Sequence, residues 1–192
     1  MFYPCTCIHR VDDKAQQRKM LESTLAWNAD FLMFYLTDIA GTGLLPVEAG
    51  RQGKVVITTE MGGSESIPIA THRLTQEGLR NVLIHCRVLE GKEQTRESLG
   101  LPPTKVVQSL SKKDYLLAPE SGIFEATAEL GSLLTSGQPI GQIHFPERPD
   151  RAPEVLAAQS NGYLICHRAP CLTRQGDVVA TIAQPIEPDS LL

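Results

Sequence analysis

The chain has 192 residues and a formal net charge of −4; 42% of it is hydrophobic and 21% charged. Its mean hydropathy is −0.11 and its pI about 5.7. That is the composition of a globular protein long enough for one medium domain or two small ones. There is no run of Lys and Arg, so neither nucleic acid nor an anionic membrane is expected as a partner. The longest apolar run, Phe31 to Leu36, is far too short to span a bilayer. Met1 to Cys5 shows no export signal, and five cysteines without framework spacing suit reduced thiols in a cytoplasm.

Residues 4–11 read as a strand with Cys5, Cys7 and His9 on one face, because strand side chains repeat every two residues. Thiolate and imidazole bind zinc, but same-face neighbours on one flat strand converge poorly on a tetrahedral ion. Small side chains facing a helix account for the ladder better. Asp12 and Asp13 then open a helix in which Met20, Leu21, Leu25 and Ala26 recur at helical spacing, and Trp27 near its end is read as a packing residue. Asp30 to Leu36 forms a second strand, apolar throughout and so buried on both faces. Residues 41–53 hold a short amphipathic piece between glycines. Gly41-Thr42-Gly43 is no phosphate loop, since Pro46 stands where the third glycine of a dinucleotide fingerprint belongs.

The β-branched run Val55 to Thr59 carries a third strand to Glu60, with Gly62 and Gly63 behind it. A carboxylate at the C-terminal end of a strand either ends that strand and caps the next helix or takes part in chemistry; spacing leaves both open. Ile67 to Leu79 continues as a helix with Pro68 in its first turn and Ile69, Leu74 and Leu79 as apolar positions, while His72 and Arg73 read as solvated. Asn81 to Leu89 could be a further strand or more of that helix, with His85 a satisfied interior histidine. Residues 1–90 thus spell β-α-β-α-β-α, a small parallel or mixed sheet.

The polar stretch Gly91 to Pro103 reads as a linker, giving domains at 1–100 and 104–192. Beyond it the strand-like runs are Lys105–Leu110, Tyr115–Ala118, Val155–Ala157, Tyr163–Cys166 and Val178–Ala183. They contain a near-repeat. Gly122-Ile123-Phe124 and the segment around Gly137 return as Gly162-Tyr163-Leu164 and the segment around Gly176, as expected of a pseudo-twofold barrel-sandwich like the biotinyl and lipoyl modules. No lysine follows Lys113, so covalent carriage of biotin or lipoate is excluded and the β domain reads as an accessory or lid.

There is no Gly-x-Ser-x-Gly elbow, Walker loop, His-Glu-x-x-His or Cys-x-x-Cys. Four stretches instead resemble one family: Cys7 to Asp13, Thr59-Glu60-Met61-Gly62-Gly63, Gly78 to His85 and Ala118 to Glu125, with Gly176 to Ala180 in support. The chain resembles the C-terminal half of the succinylglutamate desuccinylase/aspartoacylase family of zinc-dependent amide hydrolases, and most of all its Nα-acetyl-diaminobutyrate deacetylases of ectoine breakdown. The resemblance implies the C-terminal part of a zinc-carboxypeptidase-like mixed-sheet α/β domain followed by the β domain. It also implies an N-acyl amino acid substrate, and it makes Glu60 the general acid/base that takes a proton from zinc-bound water and passes it to the leaving amine. The family's ligand motifs, Gly-x-His-Gly-x-Glu and Asp-Leu-His, and its Asn-Arg substrate clamp do not occur in these 192 residues. Arg51 matches a second substrate arginine only loosely. No metal ligand is therefore assigned here, and the expectation is a catalytic fragment whose N-terminal half is elsewhere, from a truncated or split gene or an internal methionine start. The other reading is a non-catalytic remnant or binding module using the β domain. Exposed sheet edges in such a fragment would favour homo-oligomers or poor solubility.

Overall fold

The computed structural model describes residues 3–35, 43–61 and 68–191. They fall into two compact units, one of residues 4–108 with 186–191 and one of 109–185 with Tyr3. No helix among the described residues is long and apolar enough to cross a membrane.

In the first unit the elements are β1 (Cys5–His9), α1 (Lys14–Leu25), β2 (Phe31–Tyr35), α2 (Leu45–Arg51), β3 (Thr58–Glu60), α3 (Ile69–His85) and β4 (Lys105–Gln108). They build a four-stranded mixed sheet in the order β3-β1-β2-β4. β1, β2 and β4 run parallel, and β3 is antiparallel to β1. Asp13 opens α1 as expected, its side chain accepting from the Gln16 amide at 2.7 Å and so satisfying one of the helix's free donors. Ile8, Leu32, Phe34 and Val106 on one sheet face pack with Met20 and Leu21 of α1. The other face of β1 and β2, with Cys5, Cys7, Phe31 and Met33, is buried too, in line with the apolar run.

Several expectations fall differently. The alternative left open at Asn81 resolves to helix, because α3 continues to His85. Its inward residues are Gly78, Asn81 and Ile84, whereas Ile69 and Leu79, expected as apolar contacts, are 75% and 49% exposed. The reason is close packing at Gly78, where an added Cβ would lie 2.5 Å from the Trp27 ring. That approach turns the glycine side of α3 inward and Leu79 outward. Of the run from Val55, only Thr58 to Glu60 is paired, the ladder stopping where Thr58 meets Cys7. Gly41, Thr42, Gly62 and Gly63 lie outside the described residues, as do Leu36 and Ile67.

The polar stretch 91–103 carries no regular element but is tied down. Asn81 accepts from the Gln94 amide at 3.1 Å and donates to the Gln94 carbonyl at 2.6 Å. Arg96 donates to the carbonyls of Asn28 (2.6 Å) and Pro102 and to the Asp30 carboxylate at 2.8 Å. Composition identified a loop, but not the buried amide and guanidinium that hold it.

Gly78→Ala tests the helix contact. Alanine is the better helix former by about 1 kcal/mol, yet overpacking a filled core costs about 1–3 kcal/mol. Trp27 is the only tryptophan, so its fluorescence reports directly on the site. Urea unfolding followed by that signal should show a net loss of up to about 2 kcal/mol; a stabilised variant would mean that the ring yields freely.

The second unit consists of two four-stranded antiparallel sheets. One is β5 (Tyr115–Leu117), β12 (Val178–Pro185), β10 (Gly162–His167) and β7 (Leu133–Leu134) in that order. The other is β11 (Leu172–Thr173), β6 (Gly122–Ala126), β8 (Pro139–His144) and β9 (Glu154–Ala157). One apolar cluster draws on both sheets, including Phe124, Ile140, Ile143, Leu156, Leu164, Val179 and Ile182.

The near-repeat in the sequence is an internal twofold in the structure: exchanging β5–β8 with β9–β12 reproduces every strand pairing just given. The turns match bond for bond. Thr135 N donates to Gln138 Oε1 at 2.6 Å, and Arg174 N to Asp177 Oδ2 at 2.8 Å. Gly137 N meets the Ala158 carbonyl at 2.8 Å, and Gly176 N the Ala118 carbonyl at 2.9 Å. Both turns need a positive φ (91° and 84°), which glycine adopts without strain.

Candidate functional site

Glu60 is the last residue of β3, with an exposed side chain, and lies directly opposite Cys5 on β1. Two further pairs, Thr59 with Thr6 and Thr58 with Cys7, fix the strand, and Thr58 Oγ1 donates to the Cys7 carbonyl at 3.3 Å. A carboxylate delivered in this way stands in water on a rigid element. It forms no ion pair among the described residues.

The antiparallel direction of β3 has a consequence that the chain order hides. Glu60 stands at the C-terminal end of its own strand but level with the N-terminal ends of β1, β2 and β4. The C-terminal end of β1 opens instead on a cavity of about 500 Å³ lined by His9, Asp12, Gln16, Gly50 and Arg51, among others. At ~3.3 Å per residue, Cys5 and His9 are roughly 13 Å apart along the strand. Arg51 belongs to this far cavity and is not brought to Glu60.

The Cys5/Cys7/His9 ladder forms in part. The two sulfurs are 3.9 Å apart and buried, while the His9 ring stacks on Tyr35 with centroids 5.5 Å apart. Burial pushes the His9 pKa down, which keeps the ring neutral at pH 7. Among the described residues no group of three or more His, Cys, Asp or Glu side chains is placed to hold a metal ion. The described residues by themselves do not form a zinc site.

His85, expected as an interior histidine, is half-buried and pairs with Glu93 at 3.2 Å. Gly78 and Asn81 in the same matched stretch serve packing and the 91–103 loop. In Ala118–Glu125, Ala118 and Gly122 are close-packed backbone positions, and the two acids are tied to neighbours. Glu120 accepts from Arg148 and Arg151, both at 2.7 Å, and their hydrogen bonds hold its carboxyl below the usual range. Glu125 is held low in the same way by Gln142 and His144, each at 2.6 Å. Of the acids in the matched stretches, Glu60 and Asp12 are exposed with no side-chain partner among the described residues, and Glu60 is the one that ends a strand. Sequence reasoning missed a cavity of about 790 Å³ in the second unit, lined by Arg148, Arg168, Arg174 and Asp177, among others. The signal was present where the two halves of the near-repeat differ in charge.

Known proteins share this fold. The chain is 29% identical over 184 residues to the N-alpha-acetyl-L-2,4-diaminobutyric acid deacetylase of Halomonas elongata, which covers 96% of the chain and 52% of that enzyme. It superposes on a succinylglutamate desuccinylase/aspartoacylase from Rhodobacter sphaeroides with a TM-score of 0.86 at 28% identity, over 96% of this chain and 55% of that one. The chain resembles the succinylglutamate desuccinylase/aspartoacylase family. A product-bound structure of the ectoine utilization protein EutE (DoeB) from Ruegeria pomeroyi agrees, with a TM-score of 0.85 at 28% identity over 95% of this chain and 54% of that one. The chain spans about half the length of these relatives. No protein-family model matches it.

Proposed function

We propose that the chain is the part of a deacylase that carries its general acid/base, Glu60, and that the whole enzyme hydrolyses the amide bond of an N-acyl amino acid. The observation that carries this is the exposed carboxylate at the end of β3, in a chain that follows a deacetylase over 96% of its length. Glu60 would take a proton from the attacking water and hand it to the nitrogen of the leaving amine, so that water and amide become acid and amine. Such a proton shuttle contributes roughly 10²–10⁴-fold to rate. The described residues form no metal site, so metal ligands of the whole enzyme are expected outside them. The first unit supplies the catalytic portion. The second, barrel-sandwich-like in its internal twofold, is an accessory. β3 is the last strand of its sheet among the described residues, so its free edge is where a further strand could pair. Five free thiols suit a reducing compartment such as the cytoplasm.

The test uses Nα-acetyl-L-2,4-diaminobutyrate, with zinc content measured alongside turnover. The 192-residue chain is assayed alone and mixed with the portion of the Halomonas elongata deacetylase that the match leaves uncovered. The expected result is little zinc and no turnover alone, with hydrolysis in the mixture. Stoichiometric zinc with turnover by the chain alone would overturn the half-enzyme reading. Co-elution of the two chains without hydrolysis would favour a binding module.

A further inference from the structure

We propose that the second unit carries a ligand site of its own, for a small molecule with an oxyanion on an apolar body. The site is the cavity of about 790 Å³ at the turn between β11 and β12. Its charged lining is Arg148, Arg168 and Arg174 with Glu147 and Asp177, and Arg148 is held by Glu120 at 2.7 Å just outside it. Arg168 lies 3.0 Å from the Asp177 carboxylate, which holds the guanidinium in place, and its Nε is buried without a hydrogen-bond partner. Arg174 is exposed, and its guanidinium makes no hydrogen bond or ion pair among the described residues.

The internal twofold shows that these charges are not there for the fold. Thr127, Thr135 and Gln138 occupy the positions equivalent to Arg168, Arg174 and Asp177, and the backbone bonds of the two turns are the same. Neutral side chains therefore complete an identical turn in the other half. Two arginines have been placed where the architecture needs none, around a cavity with room for a small molecule. Guanidinium groups favour carboxylate and phosphate, which accept two parallel N–H bonds. Apart from Ser121 and Thr173 the remaining lining is apolar, and includes Phe145 and Leu172, which is 72% exposed. An anionic head with a hydrocarbon body fits this lining; a bare inorganic anion would leave Leu172 in water. The site is independent of Glu60 and of the deacylase reading.

The experiment is an NMR titration of the isotopically labelled 192-residue chain with hexanoate, hexyl phosphate, inorganic phosphate and hexanol. Saturable shifts are expected at Gly122 and Leu172–Asp177 with hexanoate, hexyl phosphate or both; which of them binds distinguishes a carboxylate from a phosphate ligand. Hexanol and inorganic phosphate should each bind at least about tenfold more weakly, since each lacks one half of the recognition. Arg174→Gln should weaken the organic anion at least about tenfold. Arg80→Gln, on exposed α3, should leave it unchanged. Leu172→Ser, also exposed, should weaken it while sparing inorganic phosphate. No saturation with any probe by roughly 20 mM, or equal affinity in Arg174→Gln, would overturn the site. Inorganic phosphate binding as well as hexyl phosphate would overturn its apolar half.

Discussion

Glu60→Gln is expected to lower turnover by at least about 100-fold in whatever assembly of this chain hydrolyses an N-acyl amino acid, with KM little changed. The amide keeps the size of the carboxylate and its place opposite Cys5, but it can neither take a proton from water nor return one to the amine. The fold should not notice. Glu60 is exposed at a strand end, and surface changes away from caps and ion pairs usually stay within about 0.5 kcal/mol. Thermal unfolding of the variant should therefore overlay that of the unchanged chain. This pairing of results decides between the two readings of a strand-end acid. A group that merely stops the strand would lower stability before rate; a proton carrier lowers rate alone. Turnover within a factor of about three of the unchanged protein would remove Glu60 from the chemistry.

Much of the fold could be read from local chemistry. β1, α1 and β2 follow from alternation, an Asp13 cap and one apolar run, each a signal contained within a dozen residues. The near-repeat around Gly137 and Gly176 was legible because both turns need glycine at positive φ. What the sequence concealed depends on contacts far apart in the chain. Nothing near Gly78 shows that Trp27 will press against it, so spacing alone points to Ile69, Leu74 and Leu79 as the apolar positions of α3, of which Ile69 and Leu79 are exposed. Nothing near Arg96 shows that Asn28 and Asp30 will hold it. At the candidate site, Glu60 stood out by its position after a β-branched run. That it lies level with the N-terminal ends of β1, β2 and β4 required the direction of pairing, which spacing does not encode. Arg51 looked near in sequence and lies at the other end of β1 for the same reason.

Acid should unsettle the second unit through Asp114, a residue that composition and motif gave no reason to notice. Its side chain is fully buried. Burial alone would push its carboxyl pKa up, but four hydrogen bonds favour the ionised form and hold it below its ordinary value. One oxygen accepts from Ser160 at 2.6 Å and Gln184 at 3.2 Å, the other from the amides of Leu110 at 2.7 Å and Ser111 at 2.8 Å. The carboxylate thus ties the entry to β5 to the turn before β10 and to the end of β12. A carboxyl whose pKa is depressed on folding contributes stability that is fully present above the unfolded pKa, about 3.9. That contribution fades as the pH falls through the lower folded value. Asp114→Ala should cost about 2–4 kcal/mol at pH 7, because two backbone amides lose their acceptor. Asp114→Asn should cost less, since its carbonyl oxygen can still face those amides while Ser160 and Gln184 reorient. The decisive measurement is amide hydrogen exchange at Leu110 and Ser111, compared at pH 7 and near pH 3. The unchanged chain should be better protected than Asp114→Asn at the higher pH, and that advantage should be smaller at the lower. If the difference between them were the same at both, the stability would come from the shape of the side chain rather than from its charge.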